Sequence, residues 1–162
     1  ALGWTKSSRR AWFLEKCVEL NAASILFWQA EHSQGKVPSE PKSSWSASLA
    51  AGAKQSGNPW LPELAVLPGG AKELAGRASR FDQAFLPWEN EDTNQTIPLG
   101  ELGRTGDILY IIGPEGGLTT REAETLTRAG TIPVSLGPRI FRWETAALLC
   151  LGLAWYGSTL RE

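Results

Sequence analysis

The amino-acid sequence predicts an α/β domain, a mostly parallel sheet with helices on both faces. Three observations predict it. Short apolar runs alternate with stretches of helical spacing along the whole chain. The run Ile108 to Ile112 is apolar without alternation, as in a parallel strand buried on both faces, and it should lie centrally. The connections between these segments are short, rich in glycine and proline, and suited to strand–helix junctions.

Taken in order, Ser8 to Leu20 places Ala11, Leu14 and Val18, with Trp12 and Cys17, at helical spacing, and Asn21 ends it. Ser24 to Trp28 reads as a strand, Gln34 to Lys42 as a loop, and Trp45 to Gln55 as an alanine-rich helix stopped by Gly57 and Pro59. Leu64 to Leu67 is a weak strand. Pro68-Gly69-Gly70 turns into a short helix reaching Ala75, and Arg80 to Leu86 is a further strand leading into the acidic stretch Glu89 to Asp92. After a turn at Gly103 to Asp107 and the strand at 108–112, Thr119 and Glu122 form a capping box, and Gly130 closes the helix it opens. Ile132 to Leu136 is the last strand, Gly137 to Trp143 a loop with two arginines, and the remainder a final helix. No internal repeat is evident.

The length of 162 residues suits one domain with a real core. Apolar residues make up 42% and charged residues 20%, which argues against disorder, collagen-like structure and a disulfide scaffold. The formal charge of -1 leaves any RNA binding to local patches. Cys17 and Cys150 belong to no metal-spaced pair, so two buried thiols in a reducing cytosol are expected. His32 is the only histidine, which disfavours a histidine-rich metal site or a Ser-His-Asp triad. The longest apolar run, Ala146 to Tyr156, falls short of the roughly 20 residues that span a bilayer, so a soluble protein is expected. Asn94-Gln95-Thr96 is read as an accidental match to the glycosylation pattern. The chain opens on alanine and contains no methionine, which suggests a piece of a longer protein.

The stretch "IGPEGGLTTRE", 112 to 122, carries the most chemistry. Gly113, Gly116 and Gly117 permit close approach of backbone to a ligand, while Pro114 withholds an N–H. The stretch lacks both the phosphate-loop lysine and the dinucleotide fingerprint. A bare loop at a strand end suits a neutral purine edge and a zwitterion better than a pyrophosphate, the plainer alternative being a tight turn. Glu115 is read as a buried acceptor for a loop N–H, with a solvated turn acid as the alternative. Arg139 and Arg142 flank Ile140 and Phe141, so the apolar pair can wall a pocket while the guanidinium groups face an acid, phosphate or base. Pairing with Glu115 or Glu144 is the competing reading. The segment Ala146 to Tyr156 is apolar all round and must be covered on more than one side, so a homodimer built on this helix is expected, with central burial as the alternative.

Two separated motifs, "IGPEGGLTTRE" (112 to 122) and "LGPRIFRWETA" (136 to 146), resemble the RsmE family of ribosomal RNA methyltransferases, within the SPOUT class. The family hallmark runs close to "IGPEGGxSxxE", a gap, then "LGxRILRxETA". Weaker echoes lie at "EKCVELN" (15 to 21), "AEHS" (30 to 33) and "AGAKQSGNPWLPEL" (51 to 64), so the likeness covers nearly the whole chain. It implies a SPOUT-type domain over 1–162 with a trefoil knot at about 107–160 (an arrangement nearly absent from folds in general), a homodimer packed through the knot and last helix, and a cytoplasmic place. It implies S-adenosyl-L-methionine as cofactor and methylation of N3 of a uridine in small-subunit ribosomal RNA, with no metal. The expected cofactor wall is Leu86, Gly113, Glu115, Gly116, Ile132, Leu136, Gly137, Ile140 and Phe141, with Thr145 binding ligand or capping the helix.

Removal of the N3 proton builds negative charge on the base, and an arginine would stabilise it. Arg142 is the first choice and Arg10 the second. Glu19 and Glu115 are candidates for taking the proton. Family members also carry an N-terminal PUA-like RNA-binding domain, which this chain starts after. His32 and Asn58 stand where the family usually has arginine, which alters two expected RNA contacts. The alternatives are the same chemistry on another RNA such as tRNA, or a knotted RNA-binding or assembly module without methylation.

Overall fold

The computed structural model describes residues 1–88 and 106–160; the acidic stretch, the Asn94 site and the start of the turn before residue 106 lie outside them. Among the described residues, eleven elements run in the order β1 (Leu2–Gly3), α1 (Arg10–Glu19), β2 (Ser24–Trp28), α2 (Ser43–Ser56), β3 (Glu63–Leu67), α3 (Gly70–Ala78), β4 (Gln83–Pro87), β5 (Ile108–Tyr110), α4 (Thr120–Arg128), β6 (Ile132–Val134) and α5 (Trp143–Thr159). Helix ends follow local chemistry. Asn21, with φ 55°, ends α1 as its N–H meets the Val18 carbonyl (3.0 Å) and that of Ala22 meets Cys17 (2.9 Å). Gly130 does the same for α4, with bonds from Gly130 to Thr127 and from Thr131 to Leu126. Both are Schellman motifs, which need a residue tolerant of the left-handed region. Gly57 stops α2 at φ 70°, and the Thr119–Glu122 capping box opens α4.

All the strands pair in parallel, in two groups ordered β1-β2-β3 and β5-β4-β6. A parallel bridge between Leu2 and Ile112, with Gly3 N–H donating to Ile112 O at 2.8 Å, joins them into one array ordered β3-β2-β1-β5-β4-β6. The segment predicted to be central therefore has neighbours on both sides. Gly3 is needed there because a Cβ would lie 2.4 Å from the Pro114 nitrogen. Successive strand residues feed two cores. Ile25, Phe27 and Phe85 pack with α1, α2 and α5, while Leu26, Trp28, Ala84 and Leu86 pack with α3 and α4. The sheet is thus covered on both faces, as a parallel sheet requires.

Some expectations are corrected. α1 buries Phe13, Leu14, Cys17 and Val18, whereas Trp12 is 45% exposed and Ala11 also faces outward. The fourth strand begins at Gln83 rather than Arg80, and α3 runs on to Ala78. The two-residue β1 has no sequence signal, being too short for any period. Central burial of the last helix is excluded, since Trp155 and Tyr156 are 44% and 59% exposed.

Candidate functional site

Because the described strands all run the same way, their carboxyl-end loops share one edge of the sheet, where open α/β sheets bind ligands. Three of them enclose a cavity of about 510 Å³. The end of β4 supplies Pro87 and Trp88, the loop after β5 supplies Gly113, Pro114, Glu115 and Gly117, and the loop after β6 supplies Ser135 to Gly137 and Arg139 to Arg142. Ile112, Leu118, Val134 and, from α5, Trp143 and Ala146 also line it. The walls combine glycine, proline and apolar side chains with Glu115, Ser135, Arg139 and Arg142, and the volume falls within the ~300–1,000 Å³ of small-molecule sites.

Both glycine loops have conformations that only glycine takes easily, with φ 74° at Gly117 and 107° at Gly137. The turn of the first is closed by Gly117 N–H on Pro114 O at 2.9 Å. Its far end is pinned by Glu122, whose Oε2 accepts from the backbone N–H (3.0 Å) and hydroxyl (3.1 Å) of Thr119. Glu122 is buried, and its other oxygen accepts from the Glu31 N–H at 2.8 Å, so the carboxylate is well supplied with donors.

Of the residues predicted to wall a cofactor, Gly113, Glu115, Leu136, Gly137, Ile140 and Phe141 line this cavity, together with Arg142. Four lie away from it. Leu86 is fully buried in the core under α3 and α4, because its side chain points to the opposite sheet face from Phe85. Ile132 sits at the start of β6, level with Phe85, not at its carboxyl end. Thr145 is exposed within α5 and does not cap it; Arg142 occupies the cap position without a side-chain bond. Gly116 turns toward the neighbouring loop, where a Cβ would meet His32 Cβ at 2.8 Å.

Glu115 is exposed, and it accepts from Gln34 Nε2 at 3.0 Å rather than from a loop N–H. Glu19 binds Lys16 at 2.7 Å on α1 and does not line the cavity. Arg10 is not part of the lining either. Its guanidinium lies 4.0 Å over the Trp4 ring, 5.4 Å from Phe27 and 5.7 Å from Trp45, and it donates to the Thr5 carbonyl. Burial holds its pKa below the usual value. Glu144 pairs with neither Arg139 nor Arg142 but with Arg9, at 3.1 Å. Sequence reasoning missed Trp88 and Trp143 on the wall and the Arg9 partner of Glu144. Arg9 carried a faint signal, as a cation beside Arg10 just before a helix.

The sequence profile of the RNA methyltransferase domain matches residues 1–155. The chain belongs to that family. Ribosomal RNA small subunit methyltransferase E of Bacillus subtilis is 29% identical over 99% of this chain and 66% of its own length. Among solved structures, a probable rRNA-methyltransferase from Porphyromonas gingivalis superposes with a TM-score of 0.86 at 25% identity, covering 99% of this chain and 68% of that one. Ribosomal RNA small subunit methyltransferase E from Neisseria gonorrhoeae, solved bound to S-adenosyl methionine, gives 0.73 at 26%, covering 93% and 62%. This RNA methyltransferase domain spans about two thirds or less of the curated relatives, 66% of the Bacillus protein and 58% of the Mycobacterium tuberculosis one. Its fold is of the SPOUT methyltransferase class, α/β with a parallel sheet flanked by helices. Among the described residues no helix is long and apolar enough to cross a membrane.

Proposed function

We propose that this chain is the catalytic part of an S-adenosylmethionine-dependent methyltransferase acting on N3 of a uridine in small-subunit ribosomal RNA, as a cytoplasmic homodimer with a knotted C-terminal half. The observation that carries the reading is the cavity, walled by the ends of three neighbouring strands and edged by Arg142. Its donor set fits the cofactor. Backbone groups of 113–115, 117 and 135–137 suit a purine edge and a zwitterion, and Trp88, Leu136, Ile140 and Phe141 supply apolar walls. The bound cofactor would supply a methyl group on a cationic sulfur.

The chain's own residues do the rest. The loops fix the approach of the base, and positioning of this kind supplies much of the acceleration in a transfer reaction. Arg142, exposed at the first turn of α5, would face the anion that develops on the base as N3 loses its proton. The same helix and the residue after it support the dimer, since Trp155, Tyr156 and Leu160 leave an apolar surface that a second copy would cover.

Calorimetric titration with S-adenosylmethionine tests the reading, using wild type, Arg142→Ala and Gly137→Val. Saturable binding is expected for the first two, and loss of binding for the third, where a β-branched residue would have to adopt φ 107° beside the cavity. Methylation of small-subunit RNA should then fail with Arg142→Ala. Absence of binding to folded wild type would overturn the reading in favour of an RNA-binding module, and methylation of tRNA alone would move the substrate.

A further inference from the structure

The loop after β2 grips the glycine loop from behind. Two hydrogen bonds cross between them, His32 Nδ1 to Gly116 O at 2.9 Å and Gln34 Nε2 to Glu115 Oε2 at 3.0 Å, and a third runs from Glu31 N–H to Glu122 Oε1 of α4 at 2.8 Å. The grip has a braced support. Ala30 N–H donates to Ser33 Oγ (2.9 Å), Ser33 N–H to Ala30 O (3.1 Å), and the Gln29 side chain holds the Gly35 carbonyl and the Val37 N–H. The two loops are in close contact at Gly116, since a Cβ there would also lie 3.1 Å from the His32 carbonyl oxygen. Its neighbours Glu115 and Gly117 line the cavity while Gly116 does not. The absence of a side chain at 116 therefore admits His32, and the ligand-facing surface is shaped by what stands behind it.

We propose that His32 is a positioning residue for the cofactor loop, holding the Gly116 carbonyl and so fixing residues 113–117 against the cavity. This rests on the reading of the cavity as a cofactor site. A carbonyl only accepts, so Nδ1 must carry the proton, and in the neutral ring Nε2 is then left as an acceptor. A run of three glycines within five residues has much backbone freedom to lose on binding, and a loop already held in shape loses less. His32 contributes to affinity without touching the ligand.

The geometry makes the test selective. Asparagine places an amide nitrogen close to the Nδ1 position, whereas glutamine reaches toward the Nε2 position. His32→Asn should bind S-adenosylmethionine within about twofold of wild type, and His32→Gln and His32→Ala should bind about fivefold more weakly, the scale of one net hydrogen bond. In turnover the loss should fall on the cofactor KM and leave kcat nearly unchanged. With a single histidine in the chain, nitrogen NMR at alkaline pH reads one imidazole, and the Nδ1–H tautomer is expected in place of the Nε2–H form that free histidine favours. Amide exchange at Gly117 should be faster in His32→Gln than in His32→Asn. Equal affinities for Asn and Gln variants, or an Nε2–H tautomer, would overturn the proposal. If wild type binds no cofactor, the function proposed above fails separately, while the tautomer and the exchange rates still decide the role of His32 in the loop.

Discussion

Arg9 Nη1 stands 3.1 Å from Glu144 Oε1 and ties the start of α1 to the first turn of α5, the helix that carries Arg142 and Trp143 to the cavity. The pair is unequal, the arginine side chain being 56% exposed and the glutamate 5%. Glu144 Oε2 is buried and has no partner among the described residues. Removing Arg9 would leave a buried carboxylate with little compensation beyond the helix N-terminus. Arg9→Ala should therefore cost about 1–2 kcal/mol, below the figure for a fully buried pair because the arginine is half in solvent. Adding Glu144→Gln should cost less than the sum of the two single changes. Urea unfolding of the four proteins in this cycle measures both, and strict additivity would show that the contact carries no energy.

Arg10 and Arg142 separate structure from chemistry. Arg10 sits among Trp4, Phe27 and Trp45, so Arg10→Ala should lower stability by about 1–2 kcal/mol through lost cation–π contact and packing. Cofactor affinity should stay within about twofold, since no direct contact is lost. Arg142, exposed at the helix start, should show the reverse, with stability unchanged on substitution by alanine and methyl transfer lost. A thermal melt beside a single-turnover assay distinguishes them. An Arg10→Ala protein that melts like wild type yet transfers no methyl group would return Arg10 to the reaction.

The contrast between these two arginines shows what the sequence made legible. Signals read from adjacent residues held up: the Thr119–Glu122 box, the stops at Asn21 and Gly130, and the unalternating strand before the glycine loop. Whatever depends on the face a side chain takes was less legible. One residue along a strand reverses the face, so Leu86 falls into the core, and the cavity takes Pro87 and Trp88 just beyond it. A displacement along the turn of α5 leaves Thr145 in solvent for the same reason. The contacts of Glu122 with Glu31 and of Gly116 with His32 span more than eighty residues, and no local pattern encodes them. Arg10 reads as a functional cation because it lies near a basic position of the family motif, and two of the three rings it packs against, Phe27 and Trp45, are distant in sequence.

The thiols give a pH-dependent prediction. Cys17 and Cys150 are buried and free, and burial pushes each up to about 12 from an ordinary value of 9.0. Native protein at pH 8 should thus react with a thiol reagent far more slowly than urea-unfolded protein, which should titrate both groups. The sign of the stability effect follows. Between about 9 and 12 the unfolded chain has released the thiol protons while the folded chain keeps them, so the unfolded state binds fewer protons and stability falls as pH rises. Replacing both cysteines with alanine should flatten this thiol contribution to the decline, at the expense of packing in the core beneath α1 and α5. Rapid labelling of folded protein at pH 8 would contradict the burial.

α5 presents the remaining imbalance between composition and cover. Ala146, Ala147 and Cys150 face the core, but Leu148, Leu149, Leu151 and Leu153 are only half-buried, and Trp155 and Tyr156 lie 44% and 59% exposed. Trp12, on the outward side of α1, is 45% exposed as well. A helix apolar on every side has no stable solvent face, and aromatic residues of this kind are the usual anchors of an interface. The protein should sediment as a dimer at micromolar concentration. Trp155→Glu with Tyr156→Glu should place a desolvated charge at each anchor and raise the dissociation constant at least ~30-fold, the scale of losing one hot spot of ~2 kcal/mol. The helical circular dichroism signal should persist, because both positions are exposed in the single chain. Sedimentation velocity decides the matter: a wild-type monomer across the accessible range would remove the dimer, and a double variant that stays dimeric would move the contact to another surface.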